Sequence, residues 1–345
     1  MKKSLLLAFM LMIAANLFAQ QQMATLNHND TITVFYGNYA LRDAHNAAVA
    51  GDIVTLSPGT FEKCDITKPI TLRGAGYEND TVSNIITSTI IDGTFDINVP
   101  DSSIKLEVEG VIFYDGVVCF RANDAKFIKC IFYEFSSYRR ENSYGSFENL
   151  SFINCLVRKI DISGPKNDEN GNSIYSINSV MRDVSLYHTT SNFGNSSTSV
   201  LYAYNSIISI PLNVGHRYGG FEYLYNSICY NISDIDLMQN CIIISTRYTG
   251  PNNQTNTTYD NLNEVFETWH SCTGNEGESF DERYILKEEI ATSFLGSDGT
   301  EVGIHGGMFP FDTRPSYMVV KKCNVANKST IDGKLSVDIE VMVEE

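Results

Sequence analysis

Positive charge is scarce in this chain. Lys and Arg number 25 against 41 Asp and Glu, a formal net charge of −16. Nucleic acid is therefore not an expected partner, because phosphate binding needs a basic face. An acidic polysaccharide would be repelled too, unless a cation bridged the two. Long apolar runs are missing after Phe18. Nothing later approaches the roughly 18 residues of a membrane-spanning helix, so no transmembrane segment is expected. No CxxC pair occurs and none of the eight Cys stands at a zinc-type spacing from His, so no metal site is expected from them. Tryptophan is reduced to Trp269. Long amphipathic helices do not alternate with the strands, which disfavours a doubly wound α/β fold.

What is present begins with a leader. Met1-Lys2-Lys3 precedes an apolar run from Leu5 to Phe18, and Ala19 offers a small residue for cleavage. Residues 1–19 have the form of a bacterial secretory signal peptide. The expected destination is outside the cytoplasm: secreted, periplasmic or on the cell surface. The domain reading is a signal peptide over 1–19, one repeat domain over 20–315, and an extension over 316–345.

The repeat is the strongest signal. Lys129-Cys130-Ile131, Asn154-Cys155-Leu156, Asn178-Ser179-Val180, Asn205-Ser206-Ile207, Asn226-Ser227-Ile228 and Asn240-Cys241-Ile242 share one phrase. Its small position advances by 25, 24, 27, 21 and 14 residues. A period in the low to mid twenties indicates stacked coils, each unable to bury its apolar face alone. Cys130, Cys155 and Cys241 share that slot, which points to buried thiols filling a core rather than to ligands. Asn at a repeated bend is expected to bond its amide to the next Asn and form a ladder.

Short strand phrases surround the repeat, among them Ile53–Leu56, Ile70–Leu72, Ser88–Ile91 and Leu106–Val108. The stretch from Asn38 to Ala50 reads as a helix, with Leu41, Ala44 and Ala48 on one face. Tyr317–Val320 and Leu335–Val341, on either side of Asp332-Gly333, read as strand-turn-strand. The fold class is therefore all-β, a right-handed single-stranded parallel β-helix with a short N-terminal capping helix and a C-terminal strand pair.

Particular segments resemble a known family. Ala44 to Phe61, then Pro69 to Gly76 and Thr89 to Gly93, are similar to the opening of right-handed parallel β-helix proteins of the pectin-lyase-like superfamily. Phe294 to Gly307 resembles the closing coil of secreted Bacteroidetes proteins of that kind. The resemblance covers about residues 30 to 315 and implies a fold; fold alone does not imply function.

The chemistry such folds carry defines which residues are candidates. A polysaccharide lyase needs a base and, commonly, carboxylates holding calcium. Lys159 and Asp161, with Arg182 and Asp183 one repeat later, are the candidate charged stripe, and Glu134, Arg139 and Arg140 lie nearby in the repeat order. A polygalacturonase should show Asn-Thr-Asp, Asp-Asp, Gly-His-Gly and Arg-Ile-Lys in order. No Asp-Asp exists, and Gly215-His216-Arg217 departs from Gly-His-Gly. For sugar binding, aromatic rings beside Arg are the expected elements. Tyr138-Arg139-Arg140 and His216-Arg217-Tyr218 are the richest such clusters; Tyr144, Tyr175, Tyr187, Tyr202 and Tyr223 are further tyrosines read as loop residues. The resulting expectation is an exported carbohydrate-associated protein, a glycan-binding or structural surface module rather than an enzyme. The partner would be a polysaccharide or cell-surface glycan, with no cofactor. The alternative is a polysaccharide lyase acting by β-elimination, for which calcium would be the cofactor.

Overall fold

The computed structural model describes residues 22–77, 88–139, 143–163, 172–187, 189–190, 196–197, 199–209, 221–230, 237–244, 255–268, 284–312, 319–325 and 337–342. Its architecture is a parallel β-helix. Two long sheets, of 11 and 13 strands, run the length of the stack. Strands of the first sheet include Ile53–Leu56, Thr71–Arg73, Glu107–Glu109, Lys126–Ile128, Leu150–Ile153, Ser173–Ile177, Val200–Tyr204, Phe221–Tyr225 and Leu237–Gln239. Each pairs in parallel with the strand one coil away.

Alternation along each strand builds the core. Val54, Leu72, Val108, Phe127, Phe152, Ser176, Ala203, Leu224 and Met238 align in one column of that register, and all are buried. The inward side chains of a pleated strand occur every second residue, so one coil fixes the face of the next. Aromatic rings fill the middle coils. Phe127 stacks on Phe152 with centroids 5.4 Å apart, and Phe113 on Phe132 at 4.6 Å. Truncating one such ring would cost about 3–5 kcal/mol.

The repeated phrase forms the bend between the two sheets. Lys129, Asn154, Asn178, Asn205, Asn226 and Asn240 all hold φ between 45° and 53°. That left-handed backbone is tolerated by Asn better than by most residues. One coil earlier Gly110 takes the same role at φ 67°, and a Cβ there would meet the Gly76 backbone nitrogen at 3.0 Å.

The small slot that follows points inward and carries a hydrogen-bond ladder. The Cys155 N–H donates to Ser179 Oγ at 2.9 Å, Ser179 N–H to Ser206 Oγ at 3.3 Å, and Ser206 N–H to Ser227 Oγ at 3.1 Å. Cys130 N–H reaches Cys155 Sγ at 3.4 Å, and Cys241 N–H reaches Asn256 Oδ1 at 2.9 Å. The thiols are buried and free, as their slot implies. Burial, reinforced by Cys155, pushes the Cys130 thiol far above its ordinary range, so it stays protonated.

Of the expected asparagine ladder one contact is present, from Asn154 to the next bend at Asn178. The side chains of Asn154, Asn178, Asn205 and Asn226 face a C-terminal segment that runs back along the stack. Asn226 Oδ1 accepts from Ser297 N–H at 2.9 Å. Asn178 Nδ2 donates to Ile304 O at 2.8 Å and Gly306 O at 2.6 Å. Asn154, with its amide turned to donate, reaches Asn178 O at 3.2 Å and Phe309 O at 3.3 Å. Lys129 Nζ pairs with Asp312 at 3.1 Å. Residues 296–312 are thus a strap crossing successive bends, and Phe294 to Gly307 is not a closing coil. Upstream of the strap, Val265, Phe266, Leu286 and Ile290 join Ile131, Leu156, Val180, Ile207, Ile228 and Ile242 in a second apolar cluster.

The N-terminal end is capped. The helix Ala40–Ala47 buries Leu41 and Ala44, and Ala48 just beyond it is buried too. Lys68 Nζ closes its C-terminal end, donating to the carbonyls of His45 (2.7 Å), Asn46 (2.9 Å) and Ala48 (2.7 Å). A hairpin, Met23–His28 with Thr31–Tyr36, adds two antiparallel strands before Ile53–Leu56. Val319–Val325 and Val337–Met342 pair antiparallel, the expected C-terminal strand pair.

Candidate functional site

The outer face of the first sheet carries five tyrosines in register, Tyr204 exposed and the others half-buried. Register places Tyr175, Tyr202 and Tyr223 in one column, and Tyr204 and Tyr225 in the adjacent one. The rings stack. Tyr175 and Tyr202 lie 5.0 Å apart at 15°, Tyr202 and Tyr223 5.2 Å apart at 13°, and Tyr204 and Tyr225 5.3 Å apart at 9°. These separations follow the strand spacing of about 4.8 Å, because each ring stands on its own coil.

The stacking decides what this surface can do. Ring faces inside a column are covered by their neighbours, so the column presents ring edges and phenol oxygens. Tyr204 is 37% exposed. Burial of the remainder, with the neighbouring tyrosines adding to it, raises the Tyr204 phenol above its usual range. The hydroxyl therefore remains a donor through neutral and mildly alkaline pH. Sequence below the tyrosines continues their columns with Ser151 on one side and Ile177, Ile153 and Ile128 on the other. The isoleucines are half-buried. The strap borders the same side, since Asn178, Asn205 and Asn226 directly follow Ile177, Tyr204 and Tyr225 and face residues 296–307.

The candidates from sequence are distributed differently. Lys159 and Glu134 are brought together, Nζ to Oε1 at 2.9 Å, with both side chains nearly half exposed. Such a surface pair contributes at most about 1 kcal/mol. Asp161 is buried and aligned with Ser136 and Ser185 in the neighbouring coils. Arg182 donates to the Tyr284 hydroxyl at 2.7 Å. Asp183 sits exposed at a bend with φ 44°, its carbonyl accepting from Ile160 N–H. Tyr138 and Arg139 form a short strand paired with Ser143–Tyr144. Arg140, His216, Arg217 and Tyr218 lie outside the described residues. Among the described residues there is no group of three or more His, Cys, Asp or Glu able to hold a metal ion, and no helix long and apolar enough to cross a membrane.

Tyr175, Tyr202 and Tyr223 stand in strands, not in loops. Sequence held the signal that places them. Each stands four positions before a slot residue, at Ser179, Ser206 and Ser227, and Tyr204 and Tyr225 stand two before. That constant offset puts all of them in register on one sheet. No family profile, curated protein or solved structure matches this chain.

Proposed function

We propose that this is an exported, glycan-binding β-helix protein of the pectin-lyase-like type, acting in the periplasm or at the cell surface through the outer face of its first sheet. The observation that carries this reading is the pair of tyrosine columns. Phenols combine an apolar body with a polar tip, the combination sugar surfaces require. Stacking immobilises the rings before any ligand arrives, so little side-chain entropy is lost on binding. The hydroxyls then recur at the coil repeat, and a polymer of regularly spaced hydroxyls can meet them one unit at a time. The leader supports export, and the acidic chain favours neutral glycans over polyanions.

A screen of neutral and acidic polysaccharides tests the reading. Binding to at least one neutral glycan is expected, and absence of binding across the panel would remove the carbohydrate assignment. The same panel monitored for the ultraviolet absorbance of an unsaturated uronate would reveal a polysaccharide lyase instead.

A further inference from the structure

We propose that two copies of this chain join head to head, pairing their Thr31–Tyr36 strands antiparallel about a two-fold axis at Val34. The first sheet begins with this strand, which pairs Met23–His28 on one side and, among the described residues, nothing on the other. Its partnering fixes which backbone groups point outward. Gly37 N–H donates to Gln22 O, and the register opposes Phe35 to Ala24, Thr33 to Leu26 and Thr31 to His28. In an antiparallel ladder hydrogen-bonded pairs alternate, so those residues bond within the hairpin. The N–H and C=O groups of Ile32, Val34 and Tyr36 therefore face the open edge.

The same three residues expose apolar side chains. Ile32 is 67%, Val34 38% and Tyr36 62% exposed. Natural edge strands are ordinarily guarded by Lys, Pro, a bulge or a cover. Thr31-Ile32-Thr33-Val34-Phe35-Tyr36 carries no charge and no Pro, and its register with Met23–His28 is unbroken.

A second copy is the occupant the strand fits. Antiparallel pairing centred on Val34 sets Ile32 opposite the other copy's Tyr36, Val34 opposite Val34, and Tyr36 opposite Ile32. Each pair exchanges two hydrogen bonds, and the patch is self-complementary, as an isologous interface requires. Charge favours the same site. On a chain of net charge −16 most surfaces repel a copy, whereas here six residues are neutral. The nearest carboxylate, Asp30, would fall opposite the neutral Asn38. Pairing would join the two first sheets into one continuous sheet. A single strand buries less than the ~1,000 Å² of a stable interface, so the dimer should be concentration-dependent.

Sedimentation equilibrium from micromolar to near-millimolar chain tests this. The wild type is expected to move from monomer mass to twice that mass. Val34→Lys and Val34→Asp, each placing like charges on the axis, should raise the dissociation constant by about tenfold or more, equivalent to 1.4 kcal/mol. An equimolar mixture of the two variants should restore association. Val34→Pro, which removes only an outward N–H, should weaken it with the far-ultraviolet spectrum unchanged. A wild type that stays monomeric, single variants that associate like the wild type, or a mixture no better than its components would each overturn the proposal.

Discussion

Asn178 holds the carbonyl of Ile304, 126 positions further along the chain, with a 2.8 Å hydrogen bond from its side-chain amide. The same amide reaches Gly306 O at 2.6 Å. One residue thus serves two purposes. Its backbone takes the left-handed bend that closes a coil, and its side chain fastens the strap across that bend.

The two purposes separate by mutation. Asn178→Gly keeps the bend, since glycine adopts positive φ freely, and removes the amide. It leaves the buried Gly306 carbonyl without the Asn178 amide, at a cost of about 1–3 kcal/mol, while the Ile304 carbonyl keeps the Phe311 N–H at 2.7 Å. Urea unfolding should show that loss, and amide exchange should accelerate over residues 296–309 more than in the first sheet. Unchanged exchange in the strap would contradict the assignment.

Ser179 provides the test of the slot ladder. Its hydroxyl accepts from Cys155 N–H and donates to Phe152 O at 3.0 Å and Ile177 O at 2.9 Å. Ser179→Ala leaves the Cys155 N–H buried without a partner and should destabilise by about 1–3 kcal/mol. Ser179→Cys should cost clearly less, because Cys fills the equivalent slot at Cys130, Cys155 and Cys241. Denaturant midpoints of the two variants give the comparison; equal losses would mean that the slot needs only volume.

The helix cap carries a pH dependence with a defined sign. His45 is buried, and its Nε2 accepts from Thr67 N–H at 3.2 Å. Burial, with the Lys68 charge beside it, lowers its pKa from 6.5 to about 4. Between those values the unfolded chain takes up a proton that the folded chain refuses. The neutral imidazole therefore supports the fold fully above pH 6.5, and this support declines as the pH falls toward 4. Thermal midpoints across that window should drop in the wild type and drop less in His45→Gln. A parallel fall in both would assign the acid sensitivity elsewhere.

Much of the architecture was legible because the stack repeats a local rule. The Asn-small-apolar phrase located the bends, and Leu41, Ala44 and Ala48 located the capping helix. The N-terminal hairpin has a local signal too: Asn29-Asp30, both at positive φ, sit between two alternating strands. The strap was not legible. Its partners, such as Asn178 and Ile304, are brought together by three-dimensional return rather than by spacing, and the recurrence of the asparagines pointed only to contacts with each other. The tyrosine columns lay between these cases. Their constant offset from the slot was present in the sequence, but Tyr-Arg and His-Arg-Tyr clusters drew attention to chemistry rather than to register.

On the proposed function, the tyrosine columns bind glycan. The most direct measurement is calorimetric titration of the best-binding neutral polysaccharide into the wild type, Tyr202→Ala and Glu134→Gln. Tyr202 is the middle ring of its column, between Tyr175 and Tyr223, whereas Glu134 lies on the other sheet beside Lys159. Tyr202→Ala is expected to weaken binding about tenfold or more, a loss of at least 1.4 kcal/mol, and Glu134→Gln to leave it unchanged. Equal affinity of Tyr202→Ala and the wild type would contradict the account.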